Sequence, residues 1–537
     1  MKPFSISTGL AHWAKEMPGQ TAIIETRTGK QVTFQELEGE SNLIASGLLQ
    51  HGFKKGDRVL VMVPYGINFV SLTFALFKAG AIPILIDPGL GKKNVLHCIR
   101  QSEPRGIIAI PLAHAVKTFL PASFKSIQLS VTVGKRWFWG GPTLDQVKNN
   151  GHLHYQAEET PDTQDAAILF TSGSTGPAKG VLYTHGMFNQ QIQILHEHFG
   201  IQPGEKDLPT FPLFGLFSTG IGMTSVIPNM DFTCPAKVKA SHIIDLIQKQ
   251  HITSSFGSPA LWNSVTRYCN ENDIRLPSLR RILIAGAPVS GSLLKRFETI
   301  LQPECKVMTP YGATEALPVT SIDRQEIVNE TWAQQDEGIC VGKPIPGAEI
   351  KIIQISDQPI LKWDTALELP QGQTGEIIVK APWVTKSYFK QEAKTELAKI
   401  PDGHSFWHRM GDVGKWDDKN RLWFCGRKGH RVIIDAEILF TIPCEAIFNQ
   451  HPDVKRSALV GRGLGSMSEP VIIIEPENQH RVTQDPQSFS KELLELGATF
   501  PHTRSIKKIL YFSDFPVDVR HNAKIFREKL AAWSEKQ

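Results

Sequence analysis

The chain has 537 residues, which at roughly 100–200 residues per domain is too long for one compact core and predicts several structural units. Its hydrophobic content of 41%, charged content of 21%, 43 glycines and 35 prolines are typical of globular proteins, and they exclude collagen-like, disordered and small disulfide-scaffold classes. The formal net charge of +5 is spread along the chain without a basic block, so we do not expect nucleic acid as a partner.

The spacing of the cysteines and the apolar stretches of the sequence indicate the cellular compartment of the protein. The seven cysteines are widely spaced and form no C-x-x-C pair, so neither a disulfide framework nor a zinc site is expected. Lys15 and Glu16 interrupt the amino-terminal region, which is unlike a secretory signal. The most apolar long stretch, Val59 to Ile86, is broken by two prolines and a lysine, so no transmembrane segment is expected. We therefore predict a cytoplasmic protein.

Helix-like and strand-like segments alternate from residue 33 onward. Residues 34–49 and 68–79 have apolar side chains at helical spacing, whereas residues 58–63 and 81–86 are short apolar runs typical of buried strands. The same alternation continues to about residue 300. This pattern predicts an α/β fold of stacked sheets covered by helices.

The pattern changes after about residue 340. Short β-rich segments separated by turn residues follow, at 348–354, 375–380 and 421–425. The last part of the chain has its own α+β pattern, with helices predicted at 444–449 and 488–497 and strands at 456–460 and 471–475. We predict a domain boundary near Gly426-Arg427.

A loop rich in hydroxyl groups and glycines follows the strand-like residues 166–170. It reads Thr171-Ser172-Gly173-Ser174-Thr175-Gly176-Pro177-Ala178-Lys179-Gly180. Its backbone N–H groups, hydroxyls and ammonium could surround phosphate oxygens. It is not a Walker A loop, because Lys179 is followed by glycine and strand-like residues. We expect the loop to link two strands and close over a nucleotide; the alternative is a hairpin that binds no ligand.

The segment Tyr311-Gly312-Ala313-Thr314-Glu315 is weak as a signal on its own, since an aromatic next to glycine is often a turn packed on the core. Combined with the loop, it offers an aromatic face for a base and a hydroxyl for an α-phosphate or acyl oxygen. Its carboxylate could hold Mg²⁺ through oxygen ligation. The combination points to a nucleotide and metal site.

These two motifs, with Arg409-Met410-Gly411-Asp412 and Gly426-Arg427, resemble in order and spacing the motifs of the adenylate-forming superfamily. That superfamily includes acyl-CoA synthetases, peptide-synthetase adenylation domains and luciferases. The resemblance implies a large amino-terminal domain (1–426) of stacked α/β sheets with a distorted β-barrel subdomain at about 340–426. It also implies a small, mobile α+β domain (427–537), with ATP and Mg²⁺ as cofactors.

The resemblance also implies a role for each motif residue. Pyrophosphate would be handled by Thr171, Ser172, Gly173, Ser174, Thr175, Gly176 and Lys179. Adenine would lie between Gly286-Ala287-Pro288 and Tyr311-Gly312. Thr314 would contact the α-phosphate, Glu315 the magnesium, and Asp412 the ribose hydroxyls with help from Arg427.

Near the carboxyl end, Asn522-Ala523-Lys524-Ile525-Phe526-Arg527 resembles the terminal motif of the superfamily. There a lysine reaches the reacting carboxylate and α-phosphate, and an ammonium suits the negative charge that grows in the transition state. Two departures stand beside it: Ala523 replaces the usual glycine, and residues 518–521 are like an insertion. The alternative is that Lys524 is a solvated lysine on a helix surface.

Features for a thiol acceptor are missing. Gly429 and the run Val432 to Phe440 stand where acyl-CoA ligases carry a charged residue and a Gly-Gly loop that lines the pantetheine tunnel. The histidine common after Pro-x-Phe is replaced by Gly215. These losses concern the half-reaction in which a thiol attacks the adenylate.

One branch of the superfamily combines these features, the β-lactone synthetases of long-chain olefin biosynthesis, which residues 207–212, 256–261, 408–414 and 515–524 closely resemble. The implied substrate is a 2-alkyl-3-hydroxyalkanoic acid whose own hydroxyl displaces AMP. A tethered, well-oriented nucleophile can lower a barrier by ~7–11 kcal/mol, so no external acceptor is needed. The resemblance also implies assembly with other enzymes of olefin synthesis.

An acyl pocket is expected among apolar and small residues near the adenine motifs, namely Phe211, Phe214, Phe217, Gly257, Ser258, Ala316 and Leu317. The alternative is that they are ordinary core. Two other functions remain open: a fatty-acyl ligase that transfers its adenylate to CoA or a carrier protein, and a nucleotide sensor without catalysis. A thiol requirement would indicate the ligase, and the joint presence of Glu315 and Lys524 argues against the sensor.

Overall fold

The structure is a computed structural model that describes residues 4–157, 160–171, 178–435, 437–463, 468–518 and 524–537. Up to residue 171 its helices and strands are α1 (Gly9–Glu16), β1 (Thr21–Glu25), β2 (Lys30–Thr33), α2 (Phe34–Gln50), β3 (Arg58–Met62), α3 (Ile67–Lys78), β4 (Ile82–Ile86), α4 (Lys92–Ser102), β5 (Gly106–Ala109), α5 (Pro111–Phe119), β6 (Leu129–Thr132), α6 (Leu144–Asn149) and β7 (Asp165–Thr171).

The elements of the middle of the chain are β8 (Lys179–Thr184), α7 (His185–Glu197), β9 (Lys206–Pro209), α8 (Pro212–Ile221), β10 (Thr224–Ile227), α9 (Ala240–Gln250), β11 (Ser254–Gly257), α10 (Pro259–Glu271), β12 (Arg281–Ile284), α11 (Gly291–Arg296), β13 (Lys306–Ala313), β14 (Ala316–Asp323) and α12 (Arg324–Glu326).

The remaining elements are β15 (Ile339–Pro344), β16 (Glu349–Ile353), β17 (Gly375–Lys380), α13 (Glu392–Ala398), β18 (Lys399–Asp402), β19 (Ser405–Trp416), β20 (Leu422–Arg427), β21 (Val432–Ile434), β22 (Glu437–Leu439), α14 (Thr441–Phe448), β23 (Val454–Arg462), β24 (Glu469–Pro476), α15 (Gln479–Gln484), α16 (Pro486–Ala498), β25 (Lys508–Tyr511) and α17 (Arg527–Ser534).

The first sheet has the strand order β6-β5-β3-β4-β7-β8 and is parallel except for the β7–β8 hairpin. Its strands are near-continuous apolar runs because helices cover both faces. Helix α2 begins with a capping box, in which the Thr33 hydroxyl accepts from the Glu36 N–H and the Glu36 carboxylate accepts from the Thr33 N–H. The mixed α/β fold predicted from the alternation is confirmed.

A longer sheet contains the second parallel array, in which β10, β9, β11, β12 and β13 are successive parallel neighbours. Strands that run in the same direction end at the same edge, and helices cross from each strand to the next. That edge carries the segments after β9, β11, β12 and β13. Binding sites of open α/β sheets lie at such carboxyl ends.

The β-rich region extends this longer sheet. Strand β15 pairs with β14 on one side and with β20 on the other, so the order continues as β15-β20-β19-β17-β16. Among the described strand pairs, these strands do not close on themselves. The subdomain expected as a distorted barrel is therefore an open continuation of the sheet, because β16 at its end pairs only with β17 among these pairs.

The strands after β20 belong to separate sheets. A hairpin of β21 and β22 and a sheet of order β23-β24-β25 follow Arg427, with α14 and α16 contributing Phe448, Phe489 and Leu493 to a buried core. The predicted boundary at 426/427 falls at the end of β20. Within the described ranges, no helix combines the length and apolar character that crossing a bilayer requires.

Candidate functional site

The carboxyl edge of the second parallel array brings several predicted residues together. Thr210, after β9, donates from its N–H and its hydroxyl to the Phe256 carbonyl, at 3.1 and 2.8 Å. The Ala285 N–H donates to the Gly257 carbonyl at 3.2 Å. Gly286 follows with φ of +95°, a conformation that favours glycine, and leads into Ala287 and Pro288 at the same edge.

The Tyr311–Glu315 segment forms the tip of the β13–β14 hairpin. Tyr311 to Ala313 end β13, Thr314 and Glu315 form the turn, and Ala316 starts β14. A Cβ on Gly312 would lie 2.5 Å from the Ala316 carbonyl oxygen, so a side chain would not fit there. Strand β13 is the parallel neighbour of β12, so this turn and the predicted adenine segment follow adjacent strands.

Asp412 is paired with two other residues predicted to bind the nucleotide. The Tyr311 hydroxyl donates to Oδ2 of Asp412 at 2.6 Å, and Arg427 lies 2.7 Å from Oδ1. Asp412 and Arg427 face each other across β19 and β20. Burial raises the pKa of Asp412, and Arg427 and the Tyr311 hydroxyl oppose that shift. One hydrogen bond and one ion pair therefore join the three side chains.

Glu315 is joined to the lysine of the phosphate loop through Tyr388. The Tyr388 hydroxyl donates to Oε1 of Glu315 at 2.6 Å. Nζ of Lys179 lies 4.7 Å from the centre of the Tyr388 ring and 3.4 Å from its hydroxyl oxygen. Burial, and then the Glu315 charge, raise the pKa of Tyr388, so its hydroxyl remains a donor. A carboxylate held in this way is a suitable oxygen ligand for Mg²⁺.

The backbone of the Thr314–Glu315 turn is also fixed. The N–H and hydroxyl of Thr385 donate to the Glu315 carbonyl at 2.9 and 3.2 Å, and the Lys399 ammonium donates to the Thr385 carbonyl. Burial lowers the pKa of Lys399 to about 7, while the Glu315 charge opposes the shift. The Tyr183 hydroxyl donates to the Thr314 carbonyl. These contacts orient the turn from both sheets.

Sequence reasoning missed four of these residues, Tyr183, Thr385, Tyr388 and Lys399. None lies in a recognisable motif, and each is far from residues 314–315 in the sequence and comes close to them only when the chain folds. One signal was present, since Lys399 stands between Ala398 and Ile400 and a cation in an apolar run can mark a buried charge.

Part of the phosphate loop lies outside the described residues, namely Ser172, Gly173, Ser174, Thr175, Gly176 and Pro177. The backbone of Thr171 ends β7 opposite Lys179 at the start of β8. The prediction that the loop links two strands is therefore confirmed. Its contact with phosphate stays a prediction.

The aromatic residues expected at the acyl pocket form one cluster. The Phe214 and Phe256 rings are stacked with centroids 3.4 Å apart, and Phe214 also contacts Phe211 and Phe217 with centroids 6.4 and 5.7 Å away. Phe188 on α7 packs against Phe217 and stacks on Tyr183, which reaches the Thr314 carbonyl. The aromatic cluster thus lies next to the predicted reaction centre.

The small residues of the predicted pocket lie at the end of β11 and the start of β14. Gly257 ends β11, and Ser258 caps α10 by accepting from the Leu261 N–H at 3.3 Å. Ala316 is buried in β14, and the Leu317 carbonyl accepts from the Gln191 side chain on α7 at 2.7 Å. Helix α7 therefore contacts both Phe217 of the aromatic cluster, through Phe188, and Leu317 of β14, through Gln191.

Gly215 and residues 432–439 are the two regions where the sequence lacks features for a thiol acceptor. A Cβ at Gly215 would lie 1.6 Å from the Tyr65 hydroxyl oxygen, so that oxygen occupies the space of any larger side chain there. Instead of a Gly-Gly loop, Val432–Ile434 and Glu437–Leu439 pair as an antiparallel hairpin. Asp435 follows the first strand at φ of +49°.

Lys524 is placed with the carboxyl-terminal sheet. Its carbonyl accepts from the Asp518 N–H at 2.9 Å, and Ile525 forms a bridge with Val517. Ile525 belongs to a core that includes Phe515 and Leu530. The neighbouring motif residues Asn522 and Ala523 lie outside the described ranges. The transition-state role of Lys524 stays a prediction.

Known proteins resemble this chain along nearly its whole length. Residues 10–389 match the family described as AMP-binding enzyme. The chain is 42% identical to an olefin beta-lactone synthetase of Xanthomonas campestris pv. campestris, with 99% of this chain and 98% of the relative covered. It is 40% identical to an olefin beta-lactone synthetase of Stenotrophomonas maltophilia, with 99% and 98% covered.

More distant proteins share the family or the fold. A long-chain-fatty-acid–CoA ligase of Thermus thermophilus is 24% identical, with 87% of this chain and 84% of the relative covered. The structure of an amide bond synthetase from Marinactinospora thermotolerans superposes with a TM-score of 0.78 at 20% identity, with 98% of this chain and 99% of that chain covered. The structural likeness supports the fold expected from the motifs, a large amino-terminal part and a small carboxyl-terminal part.

Proposed function

Because the chain belongs to the family of AMP-binding enzymes, we propose that it activates a long-chain 2-alkyl-3-hydroxyalkanoic acid with ATP and closes it to a β-lactone. A carboxylate oxygen attacks the α-phosphorus and pyrophosphate leaves, which gives the acyl adenylate. The 3-hydroxyl oxygen then attacks the acyl carbon, AMP leaves with its bonding electron pair, and the hydroxyl proton is released. The full-length identity to two olefin β-lactone synthetases carries this proposal.

The residues around the β13–β14 hairpin would bind and orient ATP. Asp412, held by Tyr311 and Arg427, would accept from the ribose hydroxyls, as a buried carboxylate can accept two hydrogen bonds at once. Gly286 to Pro288 would lie along the adenine. Thr314, fixed through its carbonyl by Tyr183, would present its hydroxyl to the α-phosphate.

Glu315 would hold the Mg²⁺ that accompanies ATP, with Tyr388 fixing the orientation of its carboxylate. The ion would supply positive charge that neutralises phosphate oxygens. Lys179, beside Tyr388, would direct its ammonium to the departing pyrophosphate together with the residues of the preceding loop. Lys524 would stabilise the negative charge that develops at the α-phosphate.

The acceptor side favours an internal nucleophile over a thiol. The Tyr65 hydroxyl takes the space above Gly215, and the hairpin of β21 and β22 replaces the loop that lines a pantetheine tunnel in ligases. A hydroxyl carried by the substrate needs no tunnel, because the adenylate already holds it near the acyl carbon. The stacked Phe214 and Phe256 would contact the alkyl part of the acid.

The test compares a 3-hydroxy acid with the matching acid that lacks the 3-hydroxyl. No motif reads that group before activation, so both acids should support ATP–pyrophosphate exchange. The hydroxy acid should turn over to lactone, whereas the deoxy acid should remain as bound acyl adenylate or hydrolyse slowly. Equal steady-state turnover of the two acids would contradict intramolecular attack.

A further inference from the structure

Exposed large apolar side chains are concentrated in one short part of the chain. Of the twelve that the structure describes, six fall between residues 112 and 138: Leu112, Val116, Phe119, Leu120, Trp137 and Phe138. Phe119 is 75% exposed and Phe138 is 67% exposed. Single exposed apolar residues are ordinary, but a group of this size indicates an interaction surface.

The first four of these side chains follow the periodicity of a helix. Leu112, Val116 and Phe119 occupy positions i, i+4 and i+7 of α5, and Leu120 is its carboxyl-terminal neighbour, so they line one side. The opposite side of α5 faces the sheet: Ala113 and His114 are buried, and the His114 ring bonds to the Val131 carbonyl at 3.0 Å. The apolar side of this amphipathic helix is therefore the one turned to solvent.

Trp137 and Phe138 lie next to the start of this helix. Helix α5 begins just after β5, and the 133–141 segment follows β6, which is the parallel neighbour of β5 at the edge of the first sheet. Trp139 connects the 133–141 segment to α5. Its buried ring stacks on His114 with centroids 5.4 Å apart and contacts the rings of Trp137 and Phe138 with centroids 5.3 and 5.1 Å away. The exposed aromatic pair is thus held on a rigid base.

The charge of the surrounding sequence is of one sign. Residues 104–144 contain five basic residues, Arg105, Lys117, Lys125, Lys135 and Arg136, and no aspartate or glutamate. Lys125, Lys135 and Arg136 are exposed; Lys125 follows α5 by six residues, and Lys135 and Arg136 directly precede Trp137 in the chain. Aromatic and aliphatic groups that can enter the headgroup region, rimmed by cations, are complementary to an anionic lipid surface.

We propose that α5 and the 134–138 segment form a docking surface for anionic lipid membranes. In this arrangement Leu112, Phe119, Trp137 and Phe138 enter the headgroup region, while Lys125, Lys135 and Arg136 pair with lipid phosphates. The surface is at the far edge of the first sheet, four strands from β7 and its phosphate loop, so docking leaves the site of adenylation open. A lipid surface is favoured over a protein partner because no acidic group specifies a polar interface within residues 104–144.

Flotation of the full chain with vesicles tests this surface without any substrate. Vesicles of equal parts phosphatidylcholine and phosphatidylglycerol should carry the wild-type protein, and vesicles of phosphatidylcholine alone should carry much less. The double variant Trp137→Ser/Phe138→Ser should lower anionic-vesicle binding about tenfold or more. Lys135→Glu/Arg136→Glu should lower it by a similar factor, since each cation near an anionic surface contributes about a fivefold affinity.

Leu361→Ser is the matched control, because Leu361 is 75% exposed and lies in the β-rich region far along the chain. It should leave vesicle binding unchanged, and all three variants should keep the wild-type melting temperature and adenylation rate with a dispersed acid. Absence of binding to anionic vesicles, or equal loss with Leu361→Ser, would overturn the proposal. So would a concentration-dependent oligomer that only the Trp137/Phe138 variant disrupts while vesicle binding persists, since that result would assign the face to a second copy of the chain.

Discussion

The hydroxyl of Tyr388 lies 2.6 Å from Oε1 of Glu315, although the two residues are 73 positions apart in the chain. The same ring lies beneath the ammonium of Lys179, the first residue of β8. One side chain therefore connects the predicted metal ligand with the predicted pyrophosphate lysine. A hydrogen bond to a metal-binding carboxylate fixes its orientation and tunes its affinity.

Tyr388→Phe removes this hydrogen bond and keeps the ring. The apparent affinity for Mg²⁺ in adenylate formation should fall about 10–100-fold, because losing a hydrogen bond to a metal-binding side chain typically weakens metal binding by that factor. The measurement is ATP–pyrophosphate exchange over a magnesium titration. Tyr511→Phe is the matched control, since its hydroxyl bonds to Ser490 at 2.8 Å in the carboxyl-terminal sheet. An unchanged magnesium dependence of the Tyr388 variant would exclude a role for this contact.

Lys524→Ala should slow adenylation by about 100-fold or more and leave the ATP dissociation constant nearly unchanged, since the proposed contact is to charge that develops in the transition state. Single-turnover adenylate formation and equilibrium ATP binding separate the two effects. Lys529→Ala, at an exposed position of α17, serves as the control and should match the wild type. ATP affinity that weakens in proportion to the rate would mark Lys524 as an ordinary binding group.

Phe214→Ala should widen the predicted acyl pocket, because it removes one ring of the Phe214–Phe256 stack. The ratio of kcat/KM for a longer acid over a shorter one should rise about tenfold. Phe515→Ala, in the carboxyl-terminal core, should lower stability without changing this ratio. Gly257→Phe is a poorer probe, since a Cβ there would already lie 2.7 Å from Nε1 of Trp262. A chain preference unaltered in Phe214→Ala would place the acyl group elsewhere.

We expect the buried His185 to lower the free energy of unfolding in acid. It is fully buried at the start of α7 against Phe77, and burial lowers its pKa from 6.5 to about 4, with Asp162 opposing. From pH 6.5 down to about 4, the unfolded chain binds a proton that the folded chain does not, so the free energy of unfolding falls with decreasing pH. The loss from this group approaches ~3 kcal/mol.

Urea unfolding of His185→Leu and wild type at several pH values checks this prediction. The variant should lack this part of the acid loss, whereas His404→Gln, at an exposed turn, should retain it. Parallel pH profiles of His185→Leu and wild type would contradict a buried neutral imidazole. The measurement depends on the fold alone and is independent of the proposed reaction.

Local patterns predicted much of the fold. The apolar run at residues 58–63 corresponds to β3, and the helical spacing at 34–49 corresponds to α2. Both could be predicted because a buried face requires apolar residues at the spacing of its helix or strand. The residues on either side of the loop at 171–180 predict that it lies between two strands, and the pairing of β7 with β8 confirms this. The barrel is implied only by the resemblance, and among the described strand pairs the end strand β16 pairs with β17 alone, so no closed barrel forms.

The motif residues of the site could be named, but their partners could not. Tyr388 and Thr385 reach Glu315, and Lys399 reaches Thr385, only after the segment 385–399 folds against the β13–β14 hairpin. The Tyr65 hydroxyl above Gly215 likewise depends on two helices, α3 and α8, that are far apart in the chain. Contacts between distant parts of the chain leave no periodic pattern in the sequence. The sequence alone therefore shows that the histidine is absent at Gly215, but it does not show that the Tyr65 hydroxyl fills the space there.

The measurement that tests the account most directly is product identification by mass from ATP and a 2-alkyl-3-hydroxy acid, with and without CoA. We expect β-lactone, AMP and pyrophosphate in equal amounts in both reactions, since the 3-hydroxyl is the acceptor and the Tyr65–Gly215 contact leaves no room for a gating side chain. Thioester formed with CoA at a rate comparable to lactone, or no lactone without CoA, would contradict the account and indicate a thiol-transferring ligase.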